Sequence, residues 1–188
     1  RGPNNWEQEL RNTTRGMAFM ALITAAWWVW RDRKSRGQDK LSLREIDGVE
    51  GILRLLLDAQ APLFHAGFGE RLWTLVNIDA NWVTEQLKNI FPTAAEQSKL
   101  FEAAWQTYLT YGGYYPDEAW FPLLRFAYEH ALDQLKGVVA DPKRADSATG
   151  SAARLGSHLI RLYLGELLDL QNGSLLSRFF DHAPDASC

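Results

Sequence analysis

The chain has 188 residues, 46% of them hydrophobic, with a formal net charge of −3 and one cysteine, Cys188. That hydrophobic content excludes wholesale disorder, and the charge excludes a global positive field that would gather nucleic acid. One cysteine excludes an internal disulfide or a cysteine-rich zinc site and points to a reducing, cytoplasmic setting.

Helix signals recur along the chain, and no segment alternates apolar and polar residues between turns. The expected class is all-α: an irregular helical bundle or a short α-solenoid-like array of about seven helices. Asn4 or Asn5 can cap a first short helix. Asn12, Thr13 or Thr14 then starts a long apolar helix, or one helix continues from Trp6 despite Gly16. Residues 17–30, "MAFMALITAAWWVW", contain a single polar side chain, Thr24. As a helix they span roughly 21 Å, short of the roughly 30 Å of a bilayer core. A secretory leader would need a small-residue cleavage site, and "RDRKSRGQDK" follows instead. A helix apolar all round is normally surrounded by others. This one is therefore expected at the centre of its domain, near 13–36, with Leu22 and Trp27 in the core; the alternative is a membrane-associated helix.

"DGVEGILRLLLDAQ" has a capping-box spacing at Asp47 and Glu50. "APLFHAGFGERLWTLVNI" holds another helix whose start Gly67 and Gly69 obscure. Asp79 can cap "ANWVTEQLKNIF", which must end near Pro92. Thr93 and Glu96 form a second capping box, and Gly112-Gly113 stops the helix that follows. "PDEAWFPLLRFAYEHALDQLKG" starts at Pro116 or, because of Pro122, later. The small and polar stretch 138–150 reads as a flexible linker. Leu155, Leu159, Leu162, Tyr163 and Leu167 then build an amphipathic helix that Asn172-Gly173 stops, and "SLLSRFF" is a short last one. The expected organisation is a helical array over 1–137, the linker, and a C-terminal helix pair, 151–188, packing on the same array. No repeat of fixed period is present.

Chemistry is sparse. There is no GxxxxGK[ST] and no GxGxxG. His65, His130, His158 and His182 are far apart and lie in no metal-binding pattern. Asp117-Glu118 suits a helix's first turn. No catalytic residue, metal site or cofactor is expected. Four basic residues in "RDRKSR" (Arg31, Arg33, Lys34 and Arg36) form either a solvated helix end or a basic patch able to meet phosphates. "YLTYGGYYP" offers Tyr111, Tyr114 and Tyr115 as a partner surface, since tyrosines bring contact area at low entropic cost. The alternative is that Tyr108 and Tyr111 face the core while Tyr114 and Tyr115 cover a helix start. Eight tryptophans spread along the chain imply several packing layers.

"NTTRGMAFMAL" (residues 12–22), with its Asn-x-x-Arg-Gly-x-Ala pattern, resembles the C-terminal helical region of large bacterial STAND-type NTPases and related anti-phage defence proteins. "FGERLWTLVNIDANWV", "NIFP", "AAWQTYL" and "LIRLYLGEL" follow in the same order, so the resemblance covers most of the chain. It implies a recognition or scaffolding module, a piece of a longer protein, whose partner is a phage protein or upstream domains of the same chain. It carries over no catalytic residue, because the Walker motifs are absent. For Arg15 and Gly16 it implies structural roles only: a carboxylate or helix-end partner for Arg15, and close helix packing at Gly16. The expectations are thus a non-enzymatic protein-binding module without a membrane span or nucleic-acid binding. The alternative is a small helical ligand-binding protein or enzyme with a tryptophan-lined cavity.

Overall fold

The computed structural model describes residues 6–38, 42–111, 116–139, 145–171 and 173–182, with backbone alone at Glu7, 137–139 and 145–150. The described residues contain helices and turns and no strand, so the chain is all-α. It divides into two compact units, Arg1–Gly113 and Tyr114–Cys188. The first holds α1 (Trp6–Asn12), α2 (Thr14–Ser35), α3 (Val49–Asp58), α4 (Pro62–Ile78), α5 (Ala80–Ile90) and α6 (Ser98–Tyr111). The second holds α7 (Phe121–Val139), α8 (Ala145–Leu164) and α9 (Leu175–His182).

In the first unit α4 is the central helix. Residues 65–70, "HAGFGE", are all buried. Pro62 opens the helix, where its missing N–H costs nothing. The most extensive pairing in the unit is α4 with α6, and α2, α1 and α5 also pack on α4. Two glycines make this possible. A Cβ on Gly69 would collide with the Ala104 carbonyl oxygen of α6, and one on Gly67 with the Phe19 ring of α2. Each glycine weakens an isolated helix by about 1 kcal/mol, which the close packing of two neighbours offsets. Thr107 on α6 donates from its hydroxyl to the Ala66 carbonyl at 2.6 Å, fixing the register of the pair.

The apolar helix α2 is not central. Only the stripe Gly16, Phe19, Ile23 and Ala26 is buried. Phe19 meets Phe68 edge-on, with ring centroids 5.0 Å apart, and Phe64 at 6.0 Å. Leu22 and Trp27, expected in the core, are half-buried, while Met17, Ala18, Ala21, Ala25, Trp28 and Val29 are exposed. The helix is apolar on every side, but helices of its unit meet one side. It starts at Thr13, whose hydroxyl accepts from Gly16 N at 3.1 Å. Gly16 does serve close packing: its missing Cβ leaves room for the Leu10 carbonyl. Arg15 is exposed and forms no ion pair among the described residues.

Several helix ends differ from expectation. Asp79 caps α5 as expected, accepting from Trp82 N at 2.9 Å. The two expected capping boxes do not form. Gly48, in the left-handed region (φ 71°), precedes α3 without a side-chain bond. A 3-10 turn, Ala95–Gln97, leads into α6 from Ala94. α7 takes the later start, which leaves Pro122 in its first turn. Helix covers both ends of the expected linker 138–150, since α7 reaches Val139 and α8 begins at Ala145. Its small residues include alanine, the strongest helix former. Residues 140–144 lie outside the described residues. The division into compact units falls at 113/114. Within the second unit α8 and α9 pack with α7.

Gly69→Ala is expected to destabilise the protein by about 1–3 kcal/mol through overpacking. Gly51→Ala, at a helical glycine with nothing within 4 Å, is expected to stabilise it by about 0.5–1 kcal/mol. Urea melts of the two variants check both signs.

Candidate functional site

The buried polar groups hold the fold together. The Glu70 side chain is 5% exposed and faces the Arg11 guanidinium through two N···O distances of 3.4 Å, with Arg71 at 3.6 Å. Thus α1 is tied to α4 by a carboxylate that has a fork of donors. Asp79 uses both oxygens. One caps α5, and the other accepts from Ser42 Oγ at 3.0 Å and Leu43 N at 2.9 Å. In the second unit the Tyr128 hydroxyl lies 3.1 Å from His158 Nδ1, and the buried pair joins α7 to α8.

His65 is buried, with Nδ1 3.1 Å from the Ile90 carbonyl oxygen. That geometry makes Nδ1 the protonated donor. Burial pushes the pKa below 6.5, against the opposing backbone hydrogen bonds to Ile90 and Leu57. Burial also lowers His130, while the charge of Asp133 raises it. Among the described residues no group of three or more His, Cys, Asp or Glu is placed to hold a metal ion.

A cleft of about 530 Å3 opens where α4 meets α5, lined by Ser42, Arg44, Glu45, Asn77, Asp79 and Glu85 among others. Asp79 already accepts three hydrogen bonds there. Arg44 is braced by Glu50 at 3.6 Å and Glu85 at 3.8 Å. Of the tryptophans only Trp82 lines it, and that side chain is buried. Trp27 stacks on Trp30 along α2, and Trp105 belongs to an aromatic cluster with Phe91, Phe101 and Tyr108. The tryptophans therefore serve separate layers.

The basic residues 31–36 do not converge. Arg33 pairs with Glu45 at 3.1 Å and Arg36 with Asp32 at 3.0 Å. The Arg31 guanidinium lies 5.8 Å from the centroid of Trp28, and the Lys34 ammonium 4.6 Å from that of Trp30. Tyr111 is half-buried, with the Arg11 guanidinium 5.2 Å over its ring. Tyr114 and Tyr115 lie outside the described residues, so the expected tyrosine surface is represented by Tyr111 alone.

A surface that residue patterning did not single out lies on α8. Its inner side buries Ala152, Leu155, Leu159 and Leu162. One step around the helix, Ile160, Tyr163 and Leu164 are exposed, Leu164 at 73%. The helix then ends in a tight reversal. Glu166 takes the left-handed position (φ 61°), Leu167 N donates to Leu162 O at 2.9 Å, and Glu166 N to Tyr163 O at 3.0 Å. This paired arrangement closes the last turn, eight residues before Asn172-Gly173, and Leu170 beyond it is also exposed. The available signal was the excess of apolar residues in "LIRLYLGEL" over what one buried stripe requires.

Comparison with family models, with curated proteins and with solved structures finds no match for this chain.

Because the folded His65 binds its proton more weakly than an unfolded histidine, stability is fully present above pH 6.5. It falls as the pH drops through 6.5 toward the lower folded value. In urea melts at pH 7.5 and 5.5, the wild type is expected to lose more stability on acidification than His65→Gln. Equal losses would show that His65 does not carry this dependence.

Proposed function

We propose that the chain is a non-catalytic helical module that binds protein, within a larger bacterial defence-type NTPase. The observation that carries this reading is the exposed ridge Ile160, Tyr163 and Leu164 on α8. A tyrosine and two aliphatic residues at i, i+3 and i+4 on one helix face bring contact area together, and such clusters mark interaction sites. Exposed charges stand beside them at Arg161, Glu166 and Asp169, giving the polar rim that surrounds an apolar contact centre. The ordered series of motifs that resembles the STAND-type C-terminal regions supports the same reading, since there the helical part recognises or scaffolds while catalysis lies upstream. The partner is then a phage protein or the upstream part of the same polypeptide, in the cytoplasm.

A photo-crosslinking residue at Leu164 of the native gene product is expected to yield a covalent adduct with one defined protein partner or an upstream segment. Tyr163→Ser and Leu164→Asp are each expected to weaken that partner's binding about tenfold or more with the thermal melt unchanged. Absence of an adduct, together with tight, saturable binding of a metabolite followed by tryptophan fluorescence, would instead favour the small ligand-binding protein.

A further inference from the structure

We propose that the outward face of α2 docks on an anionic lipid bilayer, lying in the headgroup region parallel to the surface. This goes beyond the protein-binding role, which rests on a different helix in the other unit. From residue 17 to residue 30 the helix carries no charge, and the side away from the core presents Met17, Ala18, Ala21, Ala25, Trp28 and Val29 to solvent, with Thr24 as its one polar side chain, the hydroxyl donating to the Met20 carbonyl at 2.8 Å. Met17 is 53% and Trp28 63% exposed. A face so apolar over more than three turns is far from the charged surface an ordinary outer helix shows. Among the described residues no helix is long and apolar enough to cross a membrane, so the fitting geometry is shallow, in-plane burial.

The two ends of that face indicate which surface covers it. Near the C-terminal end the exposed Trp28 lies on that face, while Trp27 and Trp30, stacked with centroids 4.5 Å apart, are half-buried on the flank toward the core stripe. The cations of Arg31 and Lys34 lie over the Trp28 and Trp30 rings, and neither forms an ion pair among the described residues. Indole rings with cations on long apolar stems are the side chains that settle at headgroup level, ring inward and charge outward. Exposed Arg15 stands at the opposite end, and the first turn of α2 carries no acid. The one acid on the outward side, Asp32, is paired with Arg36 at 3.0 Å. An apolar strip flanked near both ends by cations that form no ion pair among the described residues complements anionic headgroups.

The test is flotation of the full chain with phosphatidylcholine vesicles, with and without about one-third phosphatidylglycerol, in about 0.1 M salt. The chain is expected to float with the anionic vesicles at a bound fraction about tenfold higher than with phosphatidylcholine alone. Trp28→Glu and Ala21→Glu, both at exposed positions, are each expected to reduce that fraction about tenfold with unchanged thermal melts. Arg31→Glu with Lys34→Glu is expected to remove the preference for anionic vesicles. The proposal is overturned by failure to float, or by flotation that Trp28→Glu leaves intact. A concentration-dependent dimer in sedimentation that Ala21→Glu abolishes, without flotation, would assign the face to a second copy of the chain instead.

Discussion

The first unit depends on how closely two helices approach α4. Gly67 and Gly69 stand two positions apart and so look in different directions, one toward the Phe19 ring and the other toward the α6 backbone at Ala104. A side chain at either place would push a neighbour away by the width of a methyl group. Thr107 could not then reach the Ala66 carbonyl, and Phe19 could not sit edge-on against Phe68. Glu70 is next to Gly69 on the same buried stretch, and its carboxylate is met there by the guanidinium groups of Arg11 and Arg71.

The class of the fold was legible from helical periodicity, and so were the positions of most helices. Their ranking was not. "MAFMALITAAWWVW" is the most hydrophobic stretch, whereas "HAGFGE" contains two glycines, a histidine and a glutamate. Hydrophobicity reports what can be buried. Burial at a crossing is governed by how near the backbones come, and there small residues outrank large ones. The polar residues in "HAGFGE" are buried because their partners arrive from distant segments, Ile90 for His65 and Arg11 for Glu70. No local pattern contains that information.

Helix ends show the same division. Asp79 was readable because a side chain three residues from its target carries the whole interaction. Its second role, gathering Ser42 and Leu43, joins segments over thirty residues apart and was not. The end of α8 at Glu166 was hidden because glutamate seldom takes the left-handed position, and Gly165 next to it does not. At the functional surfaces, the four basic residues were visible as composition. Their separation into two ion pairs and two ring contacts depends on the direction in which each leaves the helix. The α8 ridge was present in the sequence only as more apolar residues than one stripe can bury.

That α4, rather than the most hydrophobic helix, organises the first unit can be tested without altering any residue. Native-state hydrogen exchange resolved to single amides compares α4 with α2 directly. The account predicts that the amides of Ala66 to Leu72 exchange most slowly in the unit, opening only when it unfolds as a whole, while those along residues 24–30 of α2 exchange through smaller openings. Slowest exchange in α2, with α4 opening before it, would contradict the account and return the centre of the fold to the apolar run.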